Sequence, residues 1–132
     1  MIPYFTKEQV GIALPYAKLI PALQQAFTEE MIAPKRHAHT VSEADSSSLL
    51  LMPVWQPQGH LGVKLVTVAP KNTDVPTVHA IFVLFDTETG TPLALMDGEE
   101  LTLRRTAAAS ALASSYASRS NARHLLLVGN GS

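Results

Sequence analysis

Apolar residues recur along this chain with two different periods, and the change near Pro34 divides it. Leu19, Leu23, Ala26 and Phe27 stand at helical spacing, which predicts an amphipathic helix over residues 16–31. Ahead of it, Thr6 with Gln9 three residues on has the form of a capping box and predicts a short helix to about Leu14. Pro15 interrupts the pattern and serves equally well as the first-turn proline of the next helix. Pro21 predicts a kink or a restart, and Pro34 ends the helical region.

Beyond Pro34 the period falls to two. Arg36, Ala38 and Thr40 alternate with His37, His39 and Val41, so a strand begins near Lys35. Residues 42–48 are polar and read as a turn. Residues 49–55 form an apolar strand whose Pro53 favours an edge or a bulge. A turn at 56–59, a β-branched strand at 61–69 and a loop at 70–76 follow. The clearest strand is 77–85; residues 86–90 turn the chain back into 91–96. Asp97 and Gly98 lead into an alanine-rich helix over 99–119, a linker at 120–124 and a last apolar strand at 125–128. Two helices, about five mostly antiparallel strands in a curved sheet and one long helix make an α+β chain.

Composition narrows the function. At 132 residues, 46% hydrophobic and 16% charged, the chain is large enough for a core of its own. A net charge of -1 with scattered basic residues points away from nucleic acid and anionic membrane. Cysteine is absent, which excludes a disulfide framework, a thiol nucleophile and a thiolate metal site. The opening residues carry neither a basic region nor a long apolar one, and the apolar runs are too short to span a bilayer. The expectation is a cytoplasmic protein.

A few residues fit the bulk pattern poorly. Arg105 shares a helical face with Leu101, Ala108, Leu112 and Tyr116. A guanidinium there needs an anion: a protein carboxylate in a structural ion pair, or the carboxylate or phosphate of a ligand. Arg104, one turn after Glu100, reads as half of a surface ion pair. Lys64 lies on a face with Val66 and Val68. Buried, it would titrate low enough to handle a proton; on an edge strand it would reach for solvent. His37 and His39 lack a third metal ligand nearby, and His60, His79 and His124 are isolated, so no metal site is expected. Gly129 and Gly131 after the last strand match the opening of a dinucleotide fingerprint, or a simple tail.

Taken together, several blocks resemble the ornithine cyclodeaminase/mu-crystallin family. They are Leu51-Met-Pro53, Gly62-Val-Lys-Leu-Val-Thr67, Pro70-Lys-Asn72, Pro76-Thr77, Thr89-Gly-Thr-Pro-Leu-Ala-Leu-Met-Asp-Gly98, Leu101-Thr-Leu-Arg-Arg-Thr-Ala-Ala-Ala-Ser110 and Val128-Gly-Asn-Gly131. The resemblance implies a substrate-binding and dimerisation domain joined to a Rossmann domain holding NAD(P)H. It assigns substrate binding to Arg36, Lys64, Thr77 and Arg105, with Lys64 also catalytic, and cofactor contacts to Thr106, Gly129 and Gly131. Residues 1–122 would be the substrate-binding and dimerisation domain, and 123–132 the first strand and glycines of a truncated Rossmann domain. The wording is similar to that of reductases of the cyclic imino acids pyrroline- and piperideine-2-carboxylate, which yield L-proline and L-pipecolate. Leu50 stands where cyclodeaminases carry a glutamate, which disfavours the alternative, conversion of ornithine to proline and ammonia. The implied partners are a small amino or imino acid and a second copy in a homodimer. A non-catalytic binding or dimerisation module is the third reading. On this view the chain alone binds no cofactor, and residues 125–128, without partner strands, form an exposed apolar edge prone to poor solubility, disorder or capture by another chain.

Overall fold

The computed structural model describes residues 1–129. Strand β1 (Tyr4–Phe5) leads into helix α1 (Lys7–Ala13) and helix α2 (Tyr16–Ala26). The capping box forms: the Gln9 amide donates to Thr6 Oγ1, and the Thr6 amide to Gln9 Oε1. Pro15 caps α2 with extended backbone, as expected where a proline cannot continue the preceding helix.

Helix α2 runs on through Pro21, where a kink or restart was predicted, and stops at Ala26, five residues short of the predicted end. There the backbone tightens: the Thr28 amide donates to the Gln25 carbonyl and the Glu29 amide to the Ala26 carbonyl, each three residues back, and the four-residue ladder stops.

Strands β2 (His37–Ser42), β3 (Ser47–Trp55), β4 (His60–Val68), β5 (Val78–Asp86) and β6 (Pro92–Asp97) follow, then helix α3 (Gly98–Ala117). The six strands form one sheet in the order β1-β6-β5-β4-β3-β2. All pairs are antiparallel except β1 with β6, a parallel pair that the sequence pattern did not predict. Pro53 lies on β3 past the end of the β2 ladder, which closes at His37–Leu51. Trp55 exchanges backbone hydrogen bonds with Ile32 on that outer side. Pro53 has the same orientation two residues earlier, so its missing N–H faces no partner strand.

The helices lie against one sheet face. Val10 of α1, Leu19 of α2, Ala108 and Leu112 of α3, Val66 of β4 and Ala94 of β6 make the buried core. A Cβ placed on Gly98 would come within 2.7 Å of the Ala80 carbonyl carbon; α3 therefore rests backbone against backbone on β5, and only glycine permits it. The opposite face carries Leu49, Leu51, Val63, Leu65, Ile81, Val83 and Leu95. None of them is buried.

Residues 122–129 adopt neither helix nor strand, and Leu125, Leu126, Leu127 and Val128 are exposed. The strand predicted at 125–128 does not form, because a strand needs lateral hydrogen-bonding partners and none of the six strands pairs with this segment. Gly131 lies outside the described residues.

Candidate functional site

Lys64 occupies the middle of β4 and pairs with Met52 on β3 and Phe82 on β5, so the three share the face that α3 crosses. Gly98 seats the start of α3 on this face, and Thr102 comes down one turn later above Lys64. Lys64 Nζ donates to Thr102 Oγ1 at 3.2 Å, and Thr102 Oγ1 donates to the Gly98 carbonyl at 2.6 Å. Gly62, diagonal to Phe82, sets the shape beside the lysine. The tip of the Phe82 ring lies over it, where any β-carbon would intrude.

Arg105 follows Thr102 on α3. At about 100° of rotation per residue, it points between Leu112 and Gly98, both buried, and yet is itself exposed. An inward-pointing side chain that stays accessible looks into open space beside the sheet. Arg36 stands one residue before β2. The register His37–Leu51, continued by one residue, sets it level with Met52 and hence on the Lys64 face.

Electrostatics tie the three cations together. Burial, and then the fields of Arg105 and Arg36, hold the Lys64 ammonium below the usual lysine value. Among the described residues none of the three forms an ion pair with a carboxylate; Glu100 pairs with Arg104, and Glu99 lies near the His79 ring. A half-buried amine flanked by two guanidiniums with no protein counter-charge can receive an anion and can donate or accept a proton at the group that enters with it.

The two neighbouring arginines of α3 exchange the settings predicted for them. Arg104, read from the sequence as a surface residue, is the half-buried one. Its Nε donates to Glu100 at 2.6 Å and its Nη1 to the Leu14 carbonyl at 3.1 Å, and the guanidinium lies 5.4 Å from the Tyr16 ring centroid. Helices α1 and α2 close over that side of α3. Arg105, read as embedded in an apolar stripe, is left open to solvent.

Thr77 is not brought to this cluster. It is exposed, immediately ahead of β5, five residues before Lys64's partner Phe82 and so about 16 Å along the strand. Its carbonyl accepts from the Ala69 amide. His37 and His39 stack at 6.4 Å between ring centroids, and no group of three metal-binding side chains occurs among the described residues. His79, expected to be isolated, lies 3.8 Å from Glu99. An apolar groove of about 400 Å³ between α2 and α3, lined by Phe27, Leu112 and Tyr116, contains none of the cations.

For a dinucleotide these residues offer little by themselves. Gly129 has φ 86 with open space where a Cβ would be, which suits the tight first turn of a fingerprint. Thr106 is exposed on α3, and Gly131 is outside the described residues. Thr102 is the residue that the sequence pattern did not single out. Its hydroxyl is spaced four residues from Gly98, but its alignment with a strand lysine arises only from packing.

Residues 4–132 match the model of the Ornithine cyclodeaminase/mu-crystallin family. The chain is 39% identical over 130 residues to a Delta(1)-pyrroline-2-carboxylate reductase of Colwellia psychrerythraea, an alignment covering 94% of this chain and 41% of that protein. The Thermococcus litoralis Delta(1)-pyrroline-2-carboxylate reductase, solved in complex with NADH and L-proline, superposes with a TM-score of 0.79 at 32% identity, over 89% of this chain and 38% of that one. An archaeal alanine dehydrogenase dimer with bound NAD superposes at 0.78 and 29% identity, over 91% and 38%. The chain thus spans about two fifths of the length of the proteins it resembles.

Proposed function

This chain belongs to the ornithine cyclodeaminase/mu-crystallin family, and from that premise we propose that it is the substrate-holding part of an NAD(P)H-dependent reductase of cyclic imino acids. The observation that carries the reading is the convergence of Arg36, Lys64 and Arg105 on one sheet face, without a counter-charge among the described residues. A pyrroline- or piperideine-2-carboxylate brings one carboxylate and one imine nitrogen, which is what two guanidiniums and one amine can receive. Arg105 and Arg36 hold the carboxylate. Lys64 donates a hydrogen bond at the imine nitrogen and delivers the proton that the product amine keeps. A reduced nicotinamide, when bound, supplies the hydride to the C=N carbon. In this reading Thr77 reaches substrate only when the start of β5 moves toward the cluster.

The partner in this reading is a second copy. The uncovered sheet face, with Leu65, Val83 and Leu95 at its centre, is the surface offered to it.

The test joins this chain to the remainder of the Colwellia psychrerythraea reductase, replacing that protein's matching segment. NADH or NADPH consumption with pyrroline-2-carboxylate is the expected result, with a loss of about 100-fold or more in Arg105→Ala or Lys64→Ala. Release of ammonia from ornithine without imine reduction would support a cyclodeaminase instead. The chain alone is expected to show no micromolar affinity for NADPH by equilibrium dialysis.

A further inference from the structure

Lys64 sits in a chain of directed hydrogen bonds whose order is forced by chemistry. The Gly98 carbonyl has no proton to give, so at 2.6 Å it is the Thr102 hydroxyl that donates. That hydroxyl has then used its only proton. Toward Lys64, 3.2 Å away, it has only lone pairs to offer.

We propose that Thr102 is the positioning residue of Lys64: an acceptor-only hydroxyl that takes one Nζ–H and so directs the remaining protons, or the lone pair of the neutral amine, away from α3 toward the open side of the sheet. This rests on the reading of Lys64 as the residue that handles the substrate's proton.

The geometry argues for this role over a purely structural one. Lys64 is half-buried, and burial and the two arginines work against its charge. The charged groups whose fields reach it are Arg105 on α3 and Arg36 ahead of β2, both of the same sign. Thr102 is the one hydrogen-bond acceptor it has among the described residues. A four-carbon side chain otherwise has many rotamers; a single fixed acceptor selects among them. In the charged form, an ammonium bound through one N–H keeps its other two protons off the helix, where a substrate nitrogen can accept one.

The experiment is competitive labelling of the 132-residue chain with acetic anhydride from pH 6 to 11. Modification of each lysine is read by peptide mass spectrometry, and Lys7, Lys18, Lys35 and Lys71 serve as internal references. Removing an acceptor from a charged donor disfavours the charged form. Thr102→Val and Thr102→Ala should therefore move the titration of Lys64 lower still and raise its labelling at neutral pH by several-fold to about tenfold, while Thr102→Ser stays within about twofold of the parent. Far-UV circular dichroism identifies any variant that has not folded. Thr102→Ala, with the better helix former, carries the test should the valine variant fail. An unchanged Lys64 titration in a folded valine or alanine variant overturns the proposal, as does a serine variant that shifts as far as they do. No turnover is involved, so an inactive chimera with Thr102-dependent labelling would sink the reductase reading and leave this inference standing.

Discussion

Arg104 and Arg105 are adjacent in sequence and differ in what they answer to. Arg104 satisfies Glu100, whose side chain is only 15% exposed, and the Leu14 carbonyl. Its loss leaves that carboxylate unpaired, so Arg104→Ala should lower unfolding stability by about 2 kcal/mol, measured by urea denaturation. Arg105→Ala should leave stability within about 0.5 kcal/mol and weaken binding of L-proline or pyrrole-2-carboxylate by about tenfold to a hundredfold, measured by titration calorimetry. Equal effects of the two substitutions on both readouts would contradict this division. Lys64 adds a pH signature. Its folded-state value lies below its unfolded one, so the folded chain binds fewer protons and its stability rises with pH between the folded value and about 10.5. Lys64→Met should remove that rise. A bound carboxylate restores the charged form, so calorimetry in buffers of different ionisation enthalpy should report proton uptake at alkaline pH.

At the scale of elements, much was legible and the failures have local causes. Residues 77–85 were clear because β5 is a β-branched, aromatic run between turn residues, and the capping box of α1 is written in four residues. The end of α2 was misplaced because the backbone tightens into three-residue turns at Thr28 and Glu29, which apolar periodicity does not register. β1 was missed because two residues carry no period at all. The three cations were visible as residues out of place, yet a helical wheel cannot say which of two arginines other helices will cover. Thr102 needed the tertiary seat of α3 on β5, and nothing short of that packing aligns it with Lys64. Gly62 belongs to this scale too. Gly62→Ala drives a methyl into the Phe82 ring, and Phe82 is the cross-strand partner of Lys64. A loss of about 1–3 kcal/mol with weakened carboxylate binding is expected, and Phe82→Leu in the same chain should recover both.

The whole molecule exposes more than a chain of its mass should. Its accessible surface is 9744 Å², against roughly 6800 Å² for a compact monomer of this size. The exposed Leu125, Leu126, Leu127 and Val128 account for part of the excess, and the uncovered sheet face for another part. Isolated Leu, Val and Ile side chains on a surface need no explanation, but a contiguous sheet face of them does. A homodimer through that face predicts a sedimentation coefficient that falls on dilution. Val83→Glu, which places a charge at its centre, should give a monomer with an unchanged circular dichroism spectrum.

One junction sets the tolerance of the whole arrangement to changes in length. Asp97 ends β6 and also caps α3, its side chain accepting from the Glu100 amide at 2.8 Å, so no loop separates strand from helix. One residue inserted between Gly98 and Thr102 would turn the rest of α3 by about 100° and advance it by about 1.5 Å. Thr102 would leave Lys64, Arg105 would swing off the sheet, and Arg104 would lose the Leu14 carbonyl in the same step. The turn at residues 43–46 or the loop at 70–76 could take the same insertion at the surface. Among homologous sequences, length should therefore vary in those loops and stay fixed from Leu95 to Arg105.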